Sequence, residues 1–443
     1  MPIHSVQQFG AAGDGVRNDA PAIQKAIDAC HAAGGGMVVV PAGCTCLSGS
    51  FTLRSHVEFH VEPGASVIAS LERNDYSRVA GRITCFINAD GAEHVQITGG
   101  GVIDCRGTRF MREEGAYIFI RGEWRPRMFL LENCRHLTIR DITIRDGAQW
   151  TLHLAGCRDV VISGIRIFNS LKVPNSDAID LDCCKNVRIS DCHIESGDDC
   201  ICLKTCPGSA ERYGACENIT VTGCTLMSTS GALVIGCEAK APMRNVIFDA
   251  CVVQSSHRGL AIHLNHEADV ENVIFSNCIV ETRVFNAAWW GAGEAIYVVA
   301  NPWTAEDRIG TIRNVRFSNI LCRCEGGVMV RGSSPGVIEH IVFEGVRVEM
   351  DRWSKWPTRR DLRPLPGYGD AALEHGVTEQ PVSAFHLECA RGVTLRNCEV
   401  AWKDAPRDCW RHALESHGVE GLTLENFRGQ AADPARDAAQ VID

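Results

Sequence analysis

Val187-Arg188-Ile189-Ser190-Asp191-Cys192 is a short unit in which apolar and polar side chains alternate before a turn residue and a small apolar residue. An alternation with a period of two is typical of a β-strand that buries one face. Similar units recur along the chain and begin at Leu137, Val160, Ile219, Val246, Val273, Val315, Ile341, Val393 and Leu422. The successive starts lie 23, 27, 32, 27, 27, 42, 26, 52 and 29 residues apart. A basic period in the twenties with some longer gaps predicts a solenoid with loops inserted into a few coils.

This repeat predicts an all-β fold, a right-handed parallel β-helix. Leucine-rich repeats have a similar period, but their Leu-x-x-Leu-x-Leu pattern is absent, and left-handed hexapeptide helices have a shorter repeat. Because a solenoid grows along its axis, all 443 residues fit a single domain. We expect an N-terminal cap and first coils at 1–50, loop insertions at 281–312 and 347–390, and a peripheral tail at 429–443.

The open end of a solenoid needs a cover, and the N-terminal region contains a candidate helix. Asn18-Asp19-Ala20-Pro21 combines a capping side chain with a proline, which is typical of a first helical turn. Within residues 22–32, helical spacing joins Ile23, Ala26, Ile27 and Cys30. The sequence therefore predicts an amphipathic capping helix.

Charge and hydropathy narrow the range of partners. The chain has 44 basic and 54 acidic residues, a net charge of −10, and no long run of Lys or Arg. A protein that binds a polyanion needs a basic face, so nucleic acid and membrane surfaces are poor candidates as partners. The apolar runs are short and no signal-peptide pattern is visible, so we expect no transmembrane span and a cytoplasmic location.

The 23 cysteines follow the strand pattern. The same position of five repeat units is occupied by Cys192, Cys224, Cys251, Cys278 and Cys398. Such a column predicts a ladder of buried free thiols, since disulfide scaffolds belong to short secreted chains. The remaining cysteines lack the paired spacings of a zinc site, so we expect no metal and no cofactor.

Several motifs resemble those of pectin-degrading β-helix enzymes, in particular glycoside hydrolase family 28, the polygalacturonases and rhamnogalacturonan hydrolases. The specific ones are Asn175-Ser176-Asp177-Ala178-Ile179-Asp180 and Gly197-Asp198-Asp199-Cys200-Ile201. Less specific are Phe9-Gly10-Ala11-Ala12-Gly13-Asp14-Gly15, Arg125-Pro126-Arg127 and Trp150-Thr151-Leu152-His153. The resemblance implies an inverting hydrolase with Asp198 as general acid and with Asp177 and Asp199 activating water. It also implies that Asn175 contacts the substrate.

The spacing of the acids agrees with this chemistry. Asp177 and Asp198 lie 21 residues apart, about one coil, so they can project from neighbouring coils of one face. Inverting glycosidases hold their two carboxyl groups roughly 6.5–9.5 Å apart. Like-charge repulsion within an acidic cluster keeps a proton on one member. Acids at coil corners otherwise cap turns, which is our interpretation of Asp141, Asp159, Asp191 and Asp249.

Two family elements are altered. Thr229-Ser230-Gly231 stands in place of Gly-His-Gly, with Ser230 at the expected His, and Ala261-Ile262-His263 stands in place of Arg-Ile-Lys. Fixed cations recognise a sugar carboxylate through charge-assisted hydrogen bonds, so their loss predicts a modified pocket and not a standard endo-polygalacturonase. We expect Ser230, Arg258 and His263 to contact the substrate.

The 42-residue gap contains further candidates for substrate contact, namely Trp289, Trp290 and Glu294. Aromatic faces stack on sugar rings, and long loops on a solenoid often build its binding face. Tryptophans that merely pack the loop on the coil are the alternative. Loops of this size can close one end of a groove, so we expect an exo-acting enzyme.

Three functions remain open at this point. The favoured one is an inverting hydrolase of pectin-derived or related oligosaccharides. A polysaccharide lyase or uronate epimerase on the same fold would need calcium and an Arg or Lys base, and a glycan-binding β-helix would need no catalytic acids. The sequence leaves the sugar, the linkage and the oligomeric state open.

Overall fold

The computed structural model describes residues 2–79, 83–286, 291–303, 307–361, 377–405 and 407–443. The chain is a right-handed parallel β-helix, as the repeat predicts. It divides into two compact units, residues 1–201 and 202–443. None of the described helices has both the length and the hydropathy that crossing a membrane requires.

The first unit contains two series of parallel strands that stack coil on coil. One series comprises Ile3–Ser5, Asp14–Asn18, Gly36–Val40, Thr45–Ser48, Val57–Val61, Ser66–Ala69, Gln96–Thr98, Val102–Asp104, Arg135–Arg140, Thr143–Arg145, Arg158–Ser163, Arg166–Phe168, Lys185–Ser190 and His193–Ser196. The other comprises Phe51–Thr52, Ile83–Asp90, Arg127–Glu132, Leu152–Ala155 and Ile179–Asp182, with the antiparallel Arg78–Val79 beside Ile83–Asp90. The unit also has the hairpin Met111–Glu114 and Phe119–Arg121, the α-helix Ala20–Ala32, and the 3-10 helices Val6–Phe9, Arg73–Asp75 and Gly107–Phe110.

The second unit repeats this arrangement. One series comprises Cys216–Thr222, Thr225–Ser228, Met243–Asp249, Val252–Ser256, Val270–Thr282, Ile312–Cys324, Ile338–Met350, Arg391–Arg396, Glu399–Trp402 and Thr423–Glu425. The other comprises Gly231–Ala239, Arg258–Leu264, Glu294–Ala300, Gly327–Gly332, Phe385–Glu388, Leu414–His417 and Gln440–Ile442. The unit also has the hairpin Arg359–Asp361 and Val377–Glu379 and the α-helix Ser209–Tyr213, while the strand Ile201–Thr205 contains the boundary between the units.

The repeat units pair in the predicted register. In the first unit Leu137 pairs with Val160, and Val160 with Val187. In the second unit the partners follow one another as Ile219, Val246, Val273, Val315, Ile341 and Val393. Register is strongly specified here because a slip of one residue would turn every buried side chain outward.

The predicted insertions contain regular structure and need correction. The segment 281–312 encloses the strand Glu294–Ala300, and the segment 347–390 begins inside Ile338–Met350 and reaches into Phe385–Glu388. The repeat unit marks one strand per coil, so the residues between two units include the strands of the other face. The tail at 429–443 likewise adds a strand, since Gln440–Ile442 pairs with Leu414–His417.

Asparagines at the coil corners explain the polar residue that precedes many units. Asn218, Asn245, Asn272 and Asn314 have φ angles of 62°, 58°, 59° and 55°, in the left-handed region that Asn tolerates. The side-chain amides of Asn245, Asn272 and Asn314 each donate to the Asn one coil earlier, at 3.1, 3.2 and 3.3 Å along the column. The corner geometry and the ladder therefore favour the same residue type.

The core of the second unit contains a stack of aromatic rings. Phe248, Phe275, Phe317 and Phe343 lie face to face, with centroids 4.8, 5.0 and 5.0 Å apart. Such pairs contribute about 0.5–1.5 kcal/mol each beyond their buried area. All 23 cysteines lie in the described ranges and are free thiols, which confirms the predicted thiol ladder.

The helix Ala20–Ala32 contacts Gly36–Val40 and Phe51–Thr52 and buries the predicted apolar face. The predicted capping side chain is present and belongs to Asn18. The Asp19 carboxylate accepts hydrogen bonds from the backbone of Ala12 and Gly13, at 2.7 and 2.9 Å, instead of capping the helix. Asn18 Oδ1 accepts from the backbone N–H at the first helical position at 3.0 Å.

Candidate active site

Asp177, Asp198 and Asp199 form a carboxylate cluster in the first unit. One oxygen of each lies within 4.8 Å of the others. Asp177 and Asp198 are only 3% and 5% exposed, and Asp199 is half-buried. The limit of 4.8 Å applies to the distances between one oxygen of each residue. It is shorter than the roughly 6.5–9.5 Å that separates whole carboxyl groups in inverting enzymes. The three acids of the two motifs are thus brought together.

Hydrogen bonds between coils hold this cluster. The backbone N–H of Thr151 donates to the carbonyl of Asp177 at 2.7 Å, and that of Ala178 donates to the carbonyl of Asp199 at 2.8 Å. Gly197, which precedes the two adjacent acids, lies so close to the neighbouring chain that a Cβ would meet Ser170 O at 2.4 Å. The glycine of this motif therefore permits the tight approach that carries Asp198 and Asp199 into the cluster.

Asn175 links this cluster to the half-buried Arg125. Its backbone N–H donates to Asp198 Oδ2 at 3.1 Å, and its side-chain oxygen accepts from Arg125 Nη2 at 2.7 Å. Burial and the nearby charge of Arg121 lower the pKa of Arg125 to about 10, while the charges of Asp177 and Asp198 act in the opposite direction. Asn175 therefore orients Asp198; its predicted contact with the substrate stays a prediction.

Buried polar groups support the same backbone from inside. Asn169 Nδ2 donates to Thr151 Oγ1 at 2.8 Å and to Ser176 O at 2.6 Å. Ser196 Oγ donates to Ser176 O at 2.7 Å. A buried network whose members are hydrogen-bonded makes its surroundings rigid, because each broken bond leaves a desolvated polar group.

A second group in the first unit joins two motifs that were quoted only for the resemblance. The guanidinium of Arg127 lies 4.1 Å from the centroid of the Trp150 ring. The ring of His153 meets Trp150 edge-on at 4.8 Å, and its Nε2 lies 3.4 Å from Asp182 Oδ2. His153 pairs with Asp180 on the next strand. The Arg-Pro-Arg and Trp-x-x-His spacings signalled these residues, but the sequence assigned them no role.

Arg258, Glu294 and Tyr297 form a buried cluster in the second unit. Arg258 Nε lies 3.7 Å from Glu294 Oε2, and its guanidinium carbon lies 3.6 Å from the centroid of the Tyr297 ring. The backbone N–H of Arg258 donates to Ser230 O at 2.8 Å. Three predicted substrate-binding residues thus come together, although Ser230 takes part through its backbone. Tyr297 was missed because it lies between repeat units; the apolar run Ala295-Ile296-Tyr297-Val298-Val299 was the available signal.

The stretch Ala261-Ile262-His263, which the resemblance predicts to be an altered Arg-Ile-Lys element, lies beside this cluster. Ala261 pairs with Tyr297 on the neighbouring strand, and His263 pairs with Val299. The His263 ring meets Tyr297 edge-on, with centroids 5.6 Å apart. Trp289 and Trp290, also predicted to bind substrate, lie outside the described residues.

Comparison with known sequences identifies the family. The family model described as glycosyl hydrolases family 28 matches residues 30–350, more than half of the chain. The chain belongs to glycosyl hydrolases family 28. A probable polygalacturonase of Vitis vinifera is 29% identical to this family 28 chain over 266 residues, which are 55% of this chain and 53% of that protein. A probable polygalacturonase of Arabidopsis thaliana is 31% identical over 201 residues, 45% and 42% of the two chains. The chain spans about half the length of these curated relatives.

Solved structures share the fold of this family 28 chain. A hyperthermoactive exopolygalacturonase of Thermotoga maritima is 20% identical, with a TM-score of 0.60 over 96% of this chain and 92% of that one. A family 28 exopolygalacturonase of Yersinia enterocolitica is 18% identical, with a TM-score of 0.67 over 95% and 78% of the two chains. At this level of identity the likeness establishes the β-helix alone.

Proposed function

We propose that this family 28 chain is an inverting glycoside hydrolase that removes sugars from the ends of oligosaccharides derived from pectin or related polymers. The observation that carries the proposal is the carboxylate cluster of Asp177, Asp198 and Asp199, with oxygens within 4.8 Å of one another. Acid–base cleavage of a glycosidic bond needs one carboxyl group that donates a proton and another that activates water.

Asp198 is the proton donor in this mechanism. Its Oδ2 accepts from the backbone N–H of Asn175 and its Oδ1 from that of Asp199, each at 3.1 Å. These donors stabilise the carboxylate that remains once the proton has moved to the glycosidic oxygen, so they assist departure of the leaving group.

Asp177 and Asp199 hold the attacking water. A water that donates to two carboxylate oxygens at about 2.7 Å each requires oxygens no more than ~5.4 Å apart. Their separation of at most 4.8 Å meets this limit. As the water oxygen bonds to the anomeric carbon, its proton passes to one of the two carboxylates and the C–O bond to the leaving group breaks. Attack from the face opposite the leaving group inverts the configuration.

Substrate recognition is proposed for Arg258. The chain lacks the family's Arg and Lys at Ala261 and His263, whereas Arg258 has its guanidinium over Tyr297, the strand partner of Ala261. A guanidinium on an aromatic face keeps its N–H donors at the edge, where a planar sugar carboxylate can accept two of them. The long gaps in the repeat support the exo mode, which is also the mode of the two bacterial exopolygalacturonases that share the fold.

A calcium-dependent lyase is the second candidate, and the same cluster favours it. Calcium binds carboxylate oxygens at about 2.3–2.6 Å, so oxygens that share one ion lie no more than ~5 Å apart. The separation of 4.8 Å also meets this condition.

The two candidates differ in their products. We would treat oligogalacturonides with the full chain in EDTA, beside Asp198→Asn and the matched control Asp191→Asn, an exposed corner acid. Hydrolysis predicts a saturated monosaccharide of inverted anomeric configuration by NMR, unaffected by EDTA, abolished in Asp198→Asn and retained in the control. An unsaturated product or loss of activity in EDTA would establish the lyase, and a retained configuration would exclude the inverting mechanism.

A further inference from the structure

A groove of about 720 Å³ opens on the second unit beside the strands Val252–Ser256, Val270–Thr282 and Ile312–Cys324. None of the residues that line it was assigned above to catalysis or to substrate recognition. Its lining includes Gln254, Ile279, Glu281, Arg283 and Trp353. We propose that this groove is a second, non-catalytic binding site for a short chain of uronic acid sugars.

Val252 and Ile279 line the groove and begin an apolar row that Leu321 continues on the next coil. Val252 pairs with Ile279, and Ile279 pairs with Leu321 on the next coil. Ile279 and Leu321 are 53% and 50% exposed. Contiguous apolar side chains that stay in contact with water mark a binding surface more often than isolated ones do. The C–H face of a sugar ring is a suitable partner for such a row.

Trp353 forms an aromatic wall whose position is held before any ligand binds. The buried carboxylate of Glu325 accepts from the backbone N–H groups of Trp353 and Ser354, at 2.9 and 2.6 Å. The guanidinium of Arg323 lies 4.6 Å from the Trp353 ring and donates twice to Asp351, at 2.8 and 2.7 Å. A side chain that is already ordered loses little conformational entropy on binding, which favours affinity.

Arg283 supplies a positive charge that the groove does not neutralise. Its guanidinium lies 4.4 Å from the Phe285 ring, and its Nε is buried with no hydrogen-bond partner. Within the described residues Arg283 forms no ion pair, whereas Arg323 is paired with Asp351 and Glu281. In a chain with a net charge of −10, an unpaired arginine in a groove indicates an anionic ligand.

The combination of features selects the ligand class. Gln254 lines the groove and is exposed, so its side-chain amide can bond to sugar hydroxyls. Beside it, Ser255 Oγ donates to Glu281 Oε1 at 2.7 Å. An inorganic anion would use Arg283 alone, and a neutral sugar would use the apolar row and Trp353 alone. A uronic acid chain uses all three, because each sugar has a C–H face, hydroxyls and a carboxylate.

The test measures binding of a galacturonic acid trimer by calorimetry to the full-length Asp198→Asn chain. We expect two classes of site. Adding Arg283→Gln or Trp353→Ala should weaken one class at least tenfold, while Arg347→Gln, an exposed arginine paired with Glu399, should leave both unchanged. In the chain with an intact Asp198, the Arg283 and Trp353 variants should hydrolyse the trimer at the unaltered rate. A neutral galactose trimer should not bind to the groove.

A single class of site, or two classes that neither variant weakens, would overturn the proposal. Equal binding of the neutral trimer would overturn the assignment to an acidic ligand. If only one class of binding site is found and Arg258→Gln abolishes it, that class belongs to the proposed substrate-recognition site at Arg258. The proposal for the groove would then be wrong, while the proposed hydrolase would be unaffected. Arg283→Gln is the decisive variant if Trp353→Ala lowers the melting temperature, because Arg283 makes no ion pair within the described residues whose loss would destabilise the fold.

Discussion

The guanidinium carbon of Arg258 lies 3.6 Å from the centre of the Tyr297 ring. Tyr297 pairs with Ala261, the position at which the resemblance predicts the first residue of an Arg-Ile-Lys element. Arg258 and Ala261 lie on the same strand, so the guanidinium of Arg258 lies over the strand partner of Ala261. Glu294 Oε2, 3.7 Å from Arg258 Nε, balances its charge in this buried setting.

Replacing Arg258 with Gln should raise KM for galacturonate oligosaccharides and lower kcat/KM by roughly 10- to 100-fold, since a hydrogen bond to a charged group contributes about 1.5–3 kcal/mol. Steady-state kinetics on di- and trigalacturonate measure this. Arg244→Gln is the control, because Arg244 pairs with Glu217 on the surface at 2.8 Å. An unchanged KM in a folded Arg258→Gln chain would remove Arg258 from the recognition pocket.

Arg125→Met should lower kcat far more than it raises KM. Arg125 contacts Asn175, which contacts Asp198, so in the proposed mechanism its loss disturbs the proton donor and leaves sugar binding largely intact. Its positive charge also interacts with Asp177 and Asp198, and without it these groups hold protons to higher pH. The acidic limb of the kcat profile should therefore move to higher pH.

The pH profile distinguishes this positioning role from general destabilisation, which lowers activity without moving the limb. Arg125→Lys should restore part of the charge effect and little of the geometry, because an ammonium lacks the planar fork that binds Asn175. A limb that stays in place in Arg125→Met would refute the electrostatic part of the prediction.

Gly197→Ala should destabilise the chain by about 1–3 kcal/mol and reduce activity, because its Cβ would meet Val173 O at 2.7 Å and Ser176 Oγ at 2.8 Å. Thermal unfolding and kcat measure the two effects. Gly214→Ala is the control: φ is 72° there and a Cβ meets nothing within 4 Å, so only about 1 kcal/mol of backbone strain is expected. Equal effects of the two substitutions would contradict the steric argument.

Stability should fall in acid partly through Glu415. Burial alone would raise the pKa of Glu415, but the neighbouring His386, whose Nδ1 lies 3.5 Å from Glu415 Oε2, and the charge of Arg360 lower it well below the ordinary value of 4.5. A carboxylate whose pKa is lower in the folded state stabilises the protein above the unfolded pKa, and this contribution disappears as pH falls below about 4.5.

Glu415→Gln should therefore lower the melting temperature at neutral pH and flatten its decline between about pH 5 and pH 3. The hydrogen bond that His417 donates to the Asp443 carboxylate raises the pKa of His417, so His417 contributes stability at low pH that is lost as pH rises, the opposite trend. Glu113→Gln, an exposed glutamate, is the control. An acid decline as steep as that of the unsubstituted chain would show that Glu415 does not contribute.

The parts of the fold that the sequence predicted correctly are those that depend on local periodicity. The alternation around Val160 and Val187 determines which side chains are buried, and the structure pairs these residues in that register. The column that contains Cys251 and Cys278 follows from the same pattern. The strand Glu294–Ala300 was predicted as an inserted loop because it belongs to the face that the repeat unit does not mark.

The candidate site divides in the same way. The two acidic motifs identified Asp177, Asp198 and Asp199 from their types and spacing, and the structure brings them within 4.8 Å of one another. Arg125 and Tyr297 were not assigned roles, because their partners lie 50 and 39 residues away in the chain, at Asn175 and Arg258.

By itself the sequence determined the β-helix, the register of its coils, the buried thiols and the identity of the clustered acids. These features arise from side chains that repeat once per coil, so spacing along the chain is equivalent to position in space. Only the tertiary structure decided that Asn175 joins Arg125 to Asp198, that Arg258 lies over Tyr297, and that Trp353 and Arg283 line one groove. Those contacts depend on how loops of unequal length return to the coil. Because these loops do not repeat, the spacing of residues along the chain does not predict their conformation.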